Sequence, residues 1–210
     1  MVSRTLVAAL AGLIASAALA VAQDAPAPVK KDAPAPAKEA AAPAAPKKKD
    51  RCTDGEPAEV AKFTVSKGEV LEKAINEPLA STAGDPEKGL HWMVHRRLGN
   101  CLACHKISSV LKRAEKTPSI DIKTPNGKSS SMPLGTHGEV GPSLDGVATR
   151  YSEGELRLLV VDPKQIFPDT IMPAFHKKDG FTRVHPDCQG HAILSAEQVE
   201  DVVAFLKTLK

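Results

Sequence analysis

Cys101-Leu102-Ala103-Cys104-His105 sets two thiols three residues apart, with an imidazole directly after the second. On a helical turn, residues three and four apart share a face, so both sulfurs and the ring can come to one side of the backbone. That arrangement suits thioether bonds to the vinyl groups of a haem while the histidine reaches the iron, and C-x-x-C-H is the attachment sequence for c-type haem. A thioredoxin-like redox pair, a zinc site or a chance match would use the same residues differently. A redox pair needs βαβ surroundings, which are lacking here, and zinc needs two more ligands at suitable spacing, whereas Cys52 and Cys188 stand far apart and alone. One covalent haem on Cys101 and Cys104, with His105 on its iron, is the expected chemistry.

A low-spin carrier needs a second axial ligand. Met172, in Thr170-Ile171-Met172-Pro173-Ala174-Phe175, has a soft thioether that favours reduced iron, and Pro173 forces it out of helical geometry and so presents it from a loop. The rivals are Met132, also followed by proline but in a polar stretch, the nearby His137, and Met93 in the segment before the motif. Pro142, in Gly141-Pro142-Ser143-Leu144, has no N–H, so its neighbourhood leaves a carbonyl free to accept the Nδ1 proton of His105 and fix the imidazole tautomer.

The elements that must hold these residues read as helices. Asp85-Pro86-Glu87 supplies an N-cap, a proline at the first helical position and an acid in the first turn, predicting a helix through Trp92 to about residue 98. Residues 117–138 are rich in Ser, Gly, Pro and Lys and read as a surface loop. Helical patterns follow at 153–161 and at 195–209, the latter with a Ser195/Gln198 capping box and Val199, Val202, Val203, Leu206 and Leu209 on one face. No strand pattern stands out, so the fold class is mainly α. Residues 51–84 read as an N-terminal extension packed on the main domain at 85–210, with Phe63, Val65, Val70, Leu71 and Ile75 as core candidates. His91 and His95 share a helical face, where exposed side chains are expected rather than a metal pair.

The rest of the chain bounds where this chemistry happens. Arg4, an apolar run and Ala20-Val21-Ala22 predict a secretory signal at 1–22 and an exported, periplasmic protein, an uncleaved anchor being the less expected outcome. Residues 23–50, almost all Ala, Pro, Lys and acids, form a tether that cannot bury a core. In an oxidising compartment Cys52 and Cys188 are disulfide candidates, worth about 2 to 4 kcal/mol over so long a loop. The net charge of only +3, with no dense basic run in the folded part, argues against nucleic acid. Aromatics are 3% of 210 residues, so a core of ordinary size needs aliphatic side chains or a bulky cofactor to fill it.

Taken in order, a leading helix, C-x-x-C-H, a Gly-Pro segment, a Met-Pro loop and a final amphipathic helix resemble a class I cytochrome c over residues 85–210. The resemblance implies that the first and last helices cross beside the haem, with Gly89 and Trp92 meeting Val203 and Leu206. A narrower likeness joins Gly99-Asn100-Cys101-Leu102-Ala103-Cys104-His105, Gly138-Glu139-Val140-Gly141-Pro142-Ser143-Leu144, Val147-Ala148-Thr149-Arg150-Tyr151 and Met172-Pro173-Ala174-Phe175. These segments, with the N-terminal extension and the long insertion after the haem motif, resemble SoxX, the monohaem subunit of the SoxAX cytochrome of bacterial sulfur oxidation. The Ala/Pro/Lys tether departs from that family's compact form.

This resemblance implies a partner, a SoxA-type dihaem or monohaem cytochrome, which joins thiosulfate to a cysteine of the carrier SoxYZ. The SoxX-like haem would take the released electrons and pass them to a small cytochrome c or similar acceptor. The chain would then be the redox subunit of an L-cysteine S-thiosulfotransferase, with the sulfur chemistry mainly in the partner. A freestanding respiratory electron carrier is the competing expectation, and a haem enzyme or ligand sensor with an open iron site is a third.

Overall fold

The computed structural model describes residues 58–123, 129–184 and 186–210, all within the unit Ala45–Lys210. The expected signal at 1–22, the tether at 23–50 and Cys52 lie outside the described residues.

Helix α1 (Pro86–Val94) starts as expected: Asp85 accepts from the N–H groups of Glu87 and Lys88 at 2.9 and 3.3 Å, and Pro86 opens the helix. It ends at Val94, short of residue 98, because His95 turns to an extended conformation and its carbonyl accepts from both Leu98 and Asn100. Helix α2 (Ser108–Lys116) follows the C-x-x-C-H turn, and β1 (Ser119–Lys123) pairs antiparallel with β2 (Ser129–Pro133). The stretch read as a plain loop therefore carries a hairpin, whose Ile120 and Ile122 are buried in the core. The short α3 (Val147–Arg150) leads into α4 (Glu153–Val161) and, after a long loop, α5 (Ala196–Leu206), with the Ser195/Gln198 capping box formed.

Helices α1 and α5 pack across each other as expected, and the groups nearest Gly89 belong to Asp201 and Phe205. Gly89 lies so close to α5 that a Cβ there would stand 2.0 Å from the Asp201 carbonyl and 2.8 Å from the Phe205 Cβ, so glycine is what permits the crossing. Asp201 then seals it by accepting from the Asp85 N–H at 2.7 Å and the Trp92 indole N–H at 2.9 Å. Val203 and Leu206, expected opposite Gly89 and Trp92, are buried in the core along with Val199, Val202 and Leu209.

The segment 58–84 is held in a way its apolar pattern does not announce. Of its core candidates only Ile75 is fully buried, while Phe63, Val65 and Val70 are exposed. Buried charges on α4 and α5 do the holding instead. Glu155 accepts from the backbone of Val70 and Leu71, both at 2.5 Å, and Glu200 accepts from Leu79 at 2.8 Å. Arg157 pairs with both Glu200 oxygens at 2.8 and 2.9 Å and donates to the Ile75 carbonyl at 2.8 Å. Burial alone would raise the Glu155 pKa, but the N–H groups of Ser152, Leu71 and Val70 bring it below the ordinary carboxylate range. The charges answer backbone groups that a segment without regular structure would otherwise bury unpaired.

Candidate functional site: a dithiol and imidazole turn

Cys101–Ala103 form a tight helical turn whose hydrogen bonds continue to the histidine: Cys104 and His105 both donate to the Cys101 carbonyl, at 3.1 and 2.9 Å. Asn100 starts the turn in the left-handed region at φ 47°, a conformation asparagine tolerates. The two thiols and the imidazole thus occupy a single turn. Cys101 and Cys104 are free, and burial first of all pushes the Cys101 thiol up to about 12. A C-x-x-C redox pair requires the opposite shift, toward an accessible thiolate.

The loop before α3 is laid along this turn. Gly138 donates to the Leu102 carbonyl, Gly141 to that of Cys104 and Leu144 to that of Lys106, at 2.8, 2.8 and 3.0 Å. The Pro142 carbonyl comes to 2.7 Å from His105 Nδ1. A carbonyl only accepts, so Nδ1 carries the proton and Nε2 keeps its lone pair for a metal. Gly141 makes this approach possible, since a Cβ there would stand 2.4 Å from Cε1 of the ring. Beside it, hydrogen bonds from Ser108 hold the Asp145 carboxyl below its usual range.

Met172 is partly buried against the core, and its N–H donates to Thr170 Oγ1 at 3.2 Å. Its rivals are placed otherwise. Met93 is buried in the core beneath α1, and Met132 stands on β2 opposite Ile120. Both ring nitrogens of His137 are occupied, Nδ1 accepting from Ile107 at 3.1 Å and Nε2 facing the Leu134 carbonyl at 3.0 Å. His95 is buried, not exposed, at the end of α1, and no metal-binding cluster of three or more His, Cys, Asp or Glu occurs among the described residues. Cys188 is disulfide-bonded.

These residues fit a covalently held haem. Two thiols and an imidazole with a free Nε2 share a turn, and a Cβ-free cradle sits against the ring. Val140, next to that cradle, and Phe167 and Ile171, on the Met172 loop, are 67, 47 and 81% exposed, apolar surface of the kind a macrocycle would cover. A cleft of about 450 Å³ elsewhere on the turn, lined by Val94, Leu102, Ala103 and Pro133 among others, includes none of Cys101, Cys104, His105 and Met172.

Comparison with known proteins gives the same picture. The family model for cytochrome c matches residues 97–210. A chain of the crystal structure of SoxXA from P. pantotrophus is similar at 35% identity with a TM-score of 0.52, over 70% of this chain and 94% of that one. No curated protein matches the sequence.

Proposed function

From a chain that belongs to the cytochrome c family as a SoxX-type cytochrome, we propose a periplasmic monohaem subunit that accepts electrons within a SoxAX-type complex conjugating thiosulfate to a carrier-protein cysteine. The observation that carries the reading is the 35% identity to a SoxXA chain over 94% of its length, on a fold whose one C-x-x-C-H turn is built for attachment.

Cys101 and Cys104 would hold the haem by thioether bonds, and His105 Nε2 and the Met172 sulfur would be the groups that bind its iron. When bound, the haem supplies a one-electron couple. The chain's own residues hold that couple in place: the Pro142 carbonyl keeps the proton on Nδ1, and Gly141 leaves the ring room to stay put. Joining thiosulfate to a thiol forms one S–S bond and releases one proton and two electrons. A monohaem subunit takes these singly and hands each to a small cytochrome c or similar acceptor before the next. The S–S bond itself forms at a SoxA-type partner, so this chain serves as the redox subunit of an L-cysteine S-thiosulfotransferase. Export by the signal at 1–22 would bring the chain to the compartment where haem is attached.

Denatured, solvent-extracted protein should retain one haem per chain. Co-expression with a SoxA-type protein should yield a stable heterodimer whose haem is reduced by thiosulfate only when the thiol carrier is present. A monomer that ignores both partner and thiosulfate yet exchanges electrons with an oxidase would overturn the assignment in favour of a freestanding carrier.

A further inference from the structure

Pro142 cannot anchor its own backbone, having no N–H to donate, so the position of its carbonyl against His105 is set by its neighbours. Gly141 is tied to Cys104 before it, and Leu144 to Lys106 after it. Between them Ser143 is held from two sides. Its carbonyl accepts from Arg150 Nη2 at 3.0 Å, and its hydroxyl lies 3.0 Å from Asp145 Oδ2 and 3.3 Å from the Lys106 carbonyl.

Asp145 is where these ties converge. Its Oδ1 accepts from the Ser108 N–H at 2.8 Å and its Oδ2 from the Ser108 hydroxyl at 2.6 Å; its N–H donates to Ser143 Oγ at 3.2 Å, and its carbonyl accepts from Arg150 Nη1 at 2.7 Å. Ser108 opens α2 three residues after His105, and Ile107, in the cap position, offers no side-chain cap of its own. One carboxylate therefore joins the chain just after the imidazole to the chain just after the carbonyl that the imidazole faces.

We propose that Asp145 is a positioning residue for the iron ligand: by clamping Ser108 to Ser143 it fixes the Pro142 carbonyl at His105 Nδ1, and so sets how strongly the imidazole donates to iron and where the reduction potential lies. The inference rests on reading His105 as the iron ligand. A firm Nδ1–H···O bond makes the ring a stronger donor and favours oxidised iron. Loosening the clamp should therefore raise the potential.

The test uses the holoprotein with Asp145→Ala, Asp145→Asn and Ser108→Ala. It reads the midpoint potential, solvent exchange of the His105 Nδ1 proton by NMR, and the melting temperature. Asp145→Ala should raise the potential and speed proton exchange by about tenfold, the scale expected for loss of one ordinary hydrogen bond. Asn, which keeps one acceptor oxygen for Ser108, should restore most of both. If Asp145→Ala does not fold, Ser108→Ala should show the same shifts at smaller size. Should the variants melt earlier while potential and proton exchange match the parent, Asp145 merely caps α2 and the proposal falls alone. Should the parent itself lack a histidine-ligated iron spectrum, the proposal falls together with the reading beneath it, and the two failures are told apart.

Discussion

The two loops that would face the haem are built on different principles. On the histidine side, residues 138–146 are bonded repeatedly to the C-x-x-C-H turn and the start of α2, across some 36 to 38 residues of sequence. On the methionine side, the described hydrogen bonds of residues 166–172 are local: Thr170 donates to Phe167 at 3.0 Å, Met172 to Thr170, and Lys164 reaches the Thr170 carbonyl at 2.7 Å. Only beyond Met172 does the loop return to the scaffold, where Phe175 and His176 donate to the Val160 and Val161 carbonyls at the end of α4. One candidate ligand is fixed by the site itself. The other depends on α4.

That dependence gives the largest expected effect. Arg157→Ala removes a buried cation from between Glu200, Glu153 and the Ile75 carbonyl and leaves Glu200 without its countercharge. Breaking such a pair costs about 3 to 5 kcal/mol. In hydrogen-exchange experiments, protection should be lost at 170–176 before 138–146; equal loss in both loops would erase the distinction between them. Next in size is Gly141→Ala, which drives a methyl group to 2.4 Å from the His105 ring. Overpacking of this kind costs about 1 to 3 kcal/mol, and here it should also displace the imidazole, visible as a perturbed low-spin spectrum. A variant with parental stability and spectrum would show the histidine side to be looser than its hydrogen bonds suggest.

The histidine side was also the more legible in sequence, for a physical reason. Its parts are backbone devices with local signatures, the C-x-x-C-H turn and a Gly-Pro step, just as the helices that frame it announce themselves by the Asp85-Pro86 start and the Ser195/Gln198 box. What went unread depends on distant partners. The hairpin has no clear sequence signature because β1 has only Ile120 and Ile122 as an alternating pair, while β2 is Ser129, Ser130, Ser131, Met132 and Pro133, a strand by pairing rather than by propensity. Nothing in the local sequence marks Arg157, Glu155 and Glu200 for burial. They are buried because residues 70–79 bring them backbone groups to satisfy. Asp145 likewise showed no motif, since its meaning lies in Ser108, 37 residues earlier.

Met172→Ala sharpens the contrast from the other side. Met172 is only partly buried and its side chain makes none of the loop's described hydrogen bonds, so without haem the protein should lose less than about 1 kcal/mol of stability. With haem bound, the same change should convert the spectrum to that of an open, carbon monoxide-binding iron and lower the potential. A variant that stays low-spin and refuses carbon monoxide would remove Met172 from the ligand set.

The last effect, spread over the pH scale, concerns the anchor that follows the methionine loop. His176 is 1% exposed; its Nδ1 faces the Leu194 carbonyl at 2.8 Å, and its Nε2 accepts from the Ala61 N–H at 2.9 Å. A ring that must accept at one nitrogen cannot carry a second proton without losing that bond, and burial first of all holds its pKa below the ordinary 6.5. The unfolded chain therefore binds this proton more readily than the folded one. The stabilisation is complete above about pH 6.5 and declines as the pH falls toward the lower folded value, with a slope of at most about 1.4 kcal/mol per pH unit for one proton. Urea unfolding of parent and His176→Gln at pH 7.5 and 5.5 isolates this contribution from the other histidines. The variant should start less stable and lose less on acidification, and identical losses would mean that residues 58–61 and 176 are not coupled through a neutral imidazole.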